Sequence, residues 1–454
     1  MKHEAAGVRQ HYTLFLLFLV TVINLIDRQV MGVVIEPIKR EFHVSDAAMG
    51  LLTGLAFSVV YCCCAIPIAR HADRANRRNV IAASCTAWSV MTIVCSGVTG
   101  YWQLAMARMG VAIGESGSNA PSMSMIADLY PPQRRAKAIS VLMLAAPVGT
   151  LIGMSVGAYI TFYYGWRATF FWLGLPGLAV ALLLRATTRE PARIDFPGDA
   201  KAGAAAAGKQ PVGEVLGEIL SSRTFVTIVI SGALLAFSAY AFGVWSTAFL
   251  VRTHGMTLRD AGALMGLAAG PGAVIGSLTS GWLADWLARR DARWQLGVPV
   301  IGALLTFPCA LAVTLAPVHA AWHLGTLAIP AVGLFFFCMS VFGMWWMAPS
   351  YSAVTQLFPG DRRATVIAIY NFGILAVGAG LGPLAVGILS DGLAAQLGSA
   401  ALGRALATTS LANLVAAGLL ATALGSFARA LPAAAAVAGG TGTTETKKGT
   451  TARA

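Results

Sequence analysis

Four ionisable side chains fall inside long apolar stretches of this sequence: Asp27, Arg28, Arg108 and Glu115. A charge at mid-membrane costs at least about 2.5 to 3.5 kcal/mol, so such residues are rare unless they meet a partner or perform a function. Arg108 and Glu115 are seven residues apart, which places them on one helix face about 10 Å from each other. Counted from the outer ends of their helices, Asp27 comes to a depth between those two, so two acids and two bases are expected to cluster. The protonation of a buried carboxyl depends on its arginine neighbour. If substrate phosphate or carboxylate engages Arg28 or Arg108, then Asp27 or Glu115 is freed to take a proton. The bland alternative is a permanent structural ion-pair network.

The elements that must position these four residues follow from composition. Of 454 residues 57% are hydrophobic and 11% charged, with a mean hydropathy of +0.71, whereas a soluble domain carries about 25% charged residues. Apolar stretches of about 20 residues or more, the length that a hydrocarbon core demands, recur at 11–35, 47–69, 79–98, 102–127, 136–161, 166–185, 225–251, 258–284, 295–317, 322–353, 364–391 and 402–428. Backbone polar groups must pair within such spans, and continuous rather than alternating apolarity selects helices over a barrel. The expected fold class is all-α: a polytopic membrane protein with twelve transmembrane helices in two pseudo-symmetric six-helix bundles. Lys2 and Arg9 precede Leu14–Val20 as in a secretory signal, but no small-residue cleavage site follows before more apolar sequence.

The formal charge of +13 does not call for nucleic acid, because most Lys and Arg fall in segments that share one side of the membrane. That bias orients both termini to the cytoplasm of a multi-pass cell-membrane protein. All seven cysteines lie in apolar spans as small hydrophobes, and no cofactor or metal site is expected. Gly203–Lys209 imitates a phosphate-binding loop, but Gln210 stands where Ser or Thr must hold magnesium and no strand precedes it.

The chain is read as an N-terminal bundle at 1–185, a cytoplasmic linker at 186–224, a C-terminal bundle at 225–430 and a disordered tail at 431–454. Within the linker, Val212, Val215, Leu216, Ile219 and Leu220 recur at helical spacing, which suits either a surface helix or a linker without fixed structure. The halves repeat each other. Ala120-Pro121-Ser122-Met123-Ser124 through Arg134-Arg135-Ala136 matches Ala348-Pro349-Ser350-Tyr351-Ser352 through Arg362-Arg363-Ala364. Ala72-Asp73 through Arg77-Arg78 is echoed by Ala284-Asp285 through Arg289-Arg290. Equivalent helices joined in the same orientation make parallel repeats, with a cavity between them and rocking as the natural motion.

The two Asp-x-x-x-Arg-Arg loops resemble the signature loop of the major facilitator superfamily, and Arg108 to Glu115 resembles its fourth-helix motif. Family members usually carry Gly where Ala69 and Asn76 stand, whereas Gly281 keeps the pattern. Asn24-Leu25-Ile26-Asp27-Arg28, with Gly114-Glu115, Ala120-Pro121, Ile126-Ala127-Asp128-Leu129 and Pro147-Val148-Gly149, is similar to the spinster-like branch. That resemblance implies lysophospholipid or sphingoid-phosphate transport, although sugar-acid transporters share the Asp-Arg pair.

The expected function is proton-coupled transport of an amphipathic anion by a monomer in contact with membrane lipids, with no enzymatic step. Small organic anions, drug efflux and a membrane-bound lipid-modifying enzyme are the alternatives. Asp27 and Glu115 are the candidate proton carriers. Asn24, Arg28, Arg108, Asn119, Tyr240, Trp345, Tyr351 and Asn371 are the candidate substrate contacts. Asp73, Arg77, Arg78, Asp285, Arg289 and Arg290 are candidate gating clamps, with each aspartate also able to cap a neighbouring helix. Phe335, Phe336, Phe337 and Met344 are expected to face a lipid tail, and Gly149, Gly153 and Gly157 to permit close helix approach.

Overall fold

The computed structural model describes residues 2–193, 212–318, 320–324, 327–358 and 362–440. Residues 194–211 of the linker and the tail beyond Gly440 lie outside the described residues, so the expectation of disorder there falls outside them too. Among the described residues, nine helical runs are long and apolar enough to cross a membrane. Two of these are too long for one crossing. The 55-residue run would extend about 80 Å as one rod, and it divides at Gly165, whose φ of 83° is left-handed. The 67-residue run divides at the short turn Gly398–Ala400. A further crossing is broken in two, Tyr101–Glu115 and Asn119–Leu129, each piece too short to count alone.

Divided in this way, the described residues form twelve crossings. In chain order they are α1 Lys2–Phe42, α2 Asp46–Arg74, α3 Arg77–Ser96, α4 at 101–129, α5 at 132–164, α6 at 166–187, α7 Arg223–His254, α8 Leu258–Ala288, α9 Trp294–Leu315, α10 Ala331–Gln356, α11 at 363–397 and α12 Ala401–Gly440. The expectation for the tenth span needs correction at its start. Two short strands stand there instead, β1 Ala321–Leu324 paired antiparallel with β2 Leu327–Pro330, and the helix begins only after Pro330. An apolar run is ambiguous between strand and helix until turn geometry decides. The linker does contain a helix, Val212–Ser221; its Ile219 is fully buried and Leu220 is exposed. The last helix continues past Leu431 to Gly440.

At the end away from the termini the two halves are bolted together. Arg252 of α7 binds Glu36 of α1 at 2.5 Å and Asp46 of α2 at 2.6 Å. The Asp391 carboxylate of α11 accepts the backbone N–H groups of Asp46 (3.0 Å) and Ala47 (2.8 Å), capping α2 from the opposite half. One apolar cluster, with Ile35, Ile38, Trp245 and Phe249, draws residues from both halves. Bare backbone meets bare backbone here: a Cβ on Gly54 would stand 2.5 Å from the Gly380 carbonyl oxygen. On α8, Gly262, Gly266 and Gly270 lie one turn apart along α5, against Met154, Leu151 and Pro147. Gly149 and Gly153 of α5 instead fit against α1, touching Val22 and Ile26 backbone. Toward the termini the inner faces part: Asn119, Tyr240 and Asn371, well inside their spans, are exposed.

Gly262→Val is expected to disfavour this closed arrangement, because its Cβ would lie 2.6 Å from the Met154 carbonyl oxygen and against the Ala158 side chain. Overpacking of this kind costs about 1–3 kcal/mol. Spin-label distances across the α5 and α8 ends should lengthen in the variant, and an unchanged distance distribution would contradict the role given to that contact.

Candidate functional site

Asp27 and Arg28 are neighbours on α1, so their side chains leave the helix about 100° apart and reach different partners. The Asp27 carboxylate accepts from Arg108 Nη1 at 2.6 Å and from the Thr92 hydroxyl at 2.8 Å. Both of its oxygens are thus engaged, and Asp27 (5% exposed) and Arg108 (3%) are sealed from solvent. Arg28 Nε donates to Glu115 Oε2 at 2.6 Å. This second pair is built differently: the Glu115 side chain is wholly buried while that of Arg28 is 24% exposed, and Glu115 Oε1 has no hydrogen-bond partner among the described residues.

Two aromatic residues that sequence reasoning missed hold the arginines in place. The Arg28 guanidinium lies 5.3 Å from the centre of the Phe57 ring and 4.9 Å from that of Tyr61, and Arg108 lies 5.6 Å from Phe57. Phe57 therefore faces both cations, a contact strengthened by desolvation. The i, i+4 spacing of Phe57 and Tyr61 on α2 was the available signal; Thr92, a hydroxyl on an apolar helix, offered none.

The break in α4 sets the position of Glu115. Gly114-Glu115-Ser116-Gly117-Ser118 turns through short i→i+3 bonds, Gly117 N to Gly114 O and Ser118 N to Glu115 O, both 3.3 Å. Gly114 allows the α3 backbone at Trp88 to approach, since a Cβ there would stand 2.6 Å from Trp88 N. Glu115 consequently ends its helix segment, where the helix dipole disfavours a carboxylate and makes the arginine opposite more necessary.

Across the cleft, Tyr240 of α7 is close enough to Arg28 to interact with it electrostatically, and Tyr351 of α10 likewise with Tyr240. The Tyr351 hydroxyl donates to the Asn371 side-chain oxygen. Tyr351 and Asn371 are thus joined within the second half. Asn24 is buried with its Nδ2 unpartnered, and Asn119 is exposed one turn beyond Glu115. Trp345 packs at Gly302 of α9 and donates Nε1 to Thr279 of α8 at 3.1 Å, so its polar group is already used inside the second half. Phe336 is fully buried in the apolar cluster, and Phe335 and Phe337 pack against it; these rings build the bundle, and the expected tail surface does not lie at Phe336.

The gating candidates divide between the halves. Arg77, almost wholly buried, binds Asp128 at 2.5 Å and Glu190 at 2.7 Å and donates to Ser124 at 2.8 Å. The Arg78 backbone N–H donates to Glu190, and its guanidinium to the Thr188 carbonyl. Asp73 is exposed and, among the described residues, contributes only its carbonyl, to Arg193; the cap of α3 is Asn76. In the second half Asp285 and Arg289 line a cavity, and Arg290 stacks on Trp286 at 4.7 Å.

Asp27→Asn should destabilise the folded protein, because it leaves the buried Arg108 charge without its carboxylate, a loss of about 3–5 kcal/mol. Glu115→Gln leaves Arg28 with access to water and should cost clearly less. Thermal unfolding in one membrane mimetic compares them, and equal midpoints would refute the distinction between a sealed and an accessible pair.

The sequence model of the Major Facilitator Superfamily matches residues 17–383. An MFS-type efflux pump of Mycolicibacterium smegmatis is 34% identical over 383 residues, covering 84% of this chain and 85% of that protein. A sphingosine-1-phosphate transporter of Danio rerio is 26% identical over 400 residues, 82% of this chain and 74% of its own. The crystal structure of a bacterial homologue of the human lysosomal transporter spinster, inward-facing and unoccupied, superposes with a TM-score of 0.81 at 28% identity, covering 93% of this chain and 98% of that one. Twelve crossings, two bolted halves and a charged cleft between them agree with these matches, and the chain belongs to the Major Facilitator Superfamily of membrane transporters.

Proposed function

We propose that this protein is a proton-coupled secondary transporter that moves an amphipathic, lipid-like anion by alternating access, with its termini in the cytoplasm and the cleft described above open to that side. The concentration of Lys and Arg in the segments on the termini side supports the orientation. The observation that carries the mechanism is the unequal Arg28–Glu115 pair, one member facing the cleft and the other wholly buried with a free oxygen.

A substrate phosphate or carboxylate entering the cleft meets the remaining N–H donors of Arg28, whose planar fork suits two oxygens at once. As the guanidinium turns to the substrate, Glu115 loses its counter-charge in a desolvated place and takes a proton. Asp27, with Arg108 and Thr92, stays fixed as the anchor of the site. Tyr240, Tyr351 and Asn371 meet the part of the substrate that faces the second half, and the α5–α8 and α2–α11 contacts open as the halves rock. The sphingoid phosphate named for the Danio rerio relative has the chemistry this cleft would hold.

A second reading, transport of a small organic acid, is favoured by the exposed Asn371 amide, which could pair with a substrate hydroxyl. Competition binding with lysolipids that share one head group separates the two. On the lipid reading affinity rises with chain length, by about 0.8 kcal/mol for each CH₂ buried; strong competition by sugar acids with no dependence on chain length would favour the organic acid.

In proteoliposomes with an imposed pH gradient, Glu115→Gln is expected to abolish gradient-driven accumulation while retaining exchange of substrate down its own gradient. Arg28→Lys should impair binding although the charge is kept. Wild-type accumulation by the Glu115 variant would overturn proton carriage at this residue.

A further inference from the structure

The internal repeat places two arginines in corresponding positions with very different surroundings. Arg77 follows Asp73 by four residues, as Arg289 follows Asp285, while Ser124 and Asp128 of the first half match Ser352 and Gln356 of the second. In the first half the arginine is satisfied within the chain: Asp128, Glu190 and the Ser124 hydroxyl surround it. In the second half the aspartate is replaced by a neutral carboxamide. No described residue supplies a carboxylate to Arg289, and its side chain takes part in no hydrogen bond or ion pair among the described residues.

What stands in that position is a cavity of about 310 Å³ lined by Asp285, Ala288, Arg289, Ala292, Gln295, Ser352 and Gln356. Gln295 is the second observation. The residue is 4% exposed, its side chain lines this cavity, and that side chain makes no hydrogen bond among the described residues. A buried carboxamide is rarely left without a partner. Ser352 accepts from Gln356 Nε2 at 2.8 Å, which leaves its own hydroxyl hydrogen to donate elsewhere. A guanidinium fork, a hydroxyl and a buried carboxamide therefore border one small space, where the first half brings carboxylate oxygens from two residues to its arginine.

We propose that this cavity, on the termini side of the second half, is a binding site for a phosphate group, separate from the transport cleft. A tetrahedral phosphate brings in one ligand the several oxygens that Asp128 and Glu190 provide together at Arg77. Asp285 stands exposed at the rim, so the anion sits on the side of the guanidinium away from it, toward Gln295 and Ser352. The group can arrive as inorganic phosphate or as the head of an anionic lipid, since both present the same oxygens to Arg289.

The test uses the full-length protein in nanodiscs of phosphatidylcholine, with the thermal unfolding midpoint as readout. One arm titrates inorganic phosphate; the other replaces part of the lipid by phosphatidylglycerol without free phosphate. The midpoint of the wild type should rise in at least one arm, and the responding arm identifies the source. Arg289→Gln should weaken the response about tenfold or more. Gln356→Asp restores the carboxylate found in the first half, and should abolish the response while leaving the protein at least as stable as the wild type. The proposal is overturned if neither arm shifts the wild type, or if both variants respond as it does. A response that survives in these variants and disappears in Arg28→Gln would place the phosphate in the central cleft and overturn it equally.

Discussion

A charge inside hydrocarbon has to meet its opposite, and much of this molecule is arranged around that requirement. Two acids and two bases on α1 and α4 neutralise one another, with Phe57 of α2 facing both guanidinium groups. The adjacency of Asp27 and Arg28 sends one toward α3 and α4 and the other toward α2 and the cleft. Seven residues of unbroken helix fix how far Glu115 stands from Arg108, and the break in α4 follows directly after Glu115. Because α3 must come close enough for Thr92 to reach Asp27, the residues at the crossing with α4 are small: Gly114 lies against Trp88. Packing and electrostatics are here a single constraint.

The closed end solves a different problem, since it must hold and also release. It combines backbone contacts at glycines with a compact set of charges, Glu36, Lys39, Asp46, Arg252 and Asp391, around a cavity of about 300 Å³. When such charges part they regain water, so much of their Coulomb energy is returned by hydration. Glycine contacts depend on shape alone and leave no polar group stranded beyond backbone that is already paired within its helix. A large interlocked side-chain interface would hold more firmly and open less readily.

The sequence made the crossings legible because hydropathy is a sum over some twenty residues and tolerates local error. The four intramembrane charges were equally visible, since rarity in an apolar run is itself the signal. Their division of labour was not. That depends on Thr92, on the exposure of Arg28 and on the free oxygen of Glu115, all of them long-range facts. Arg77 pairs with Asp128 and Glu190, 51 and 113 residues away, whereas the local aspartate at position 73 looked the nearer partner. Residues 321–324 and 327–330 misled for a simpler reason, their apolarity being compatible with either a helix or the paired strands that form.

The two halves share a fold and differ in what they do with charge. The helix break that ends a segment at Glu115 in α4 recurs in α10 between Gly343 and Met347, where Trp345 and neutral residues stand instead. The cleft therefore has its formal charges on one side only: two acids and two arginines, which balance. On the proposed reading an anion at Arg28 leaves this site one negative charge in excess, and the second half holds no intramembrane cation to offset it. Carrying that excess through the closed intermediate would cost at least about 2.5 to 3.5 kcal/mol. A proton on Glu115 removes it. On that reading, the absence of intramembrane charge among the described residues of the second half, more than any contact in the first, ties the passage of the anion to the passage of a proton.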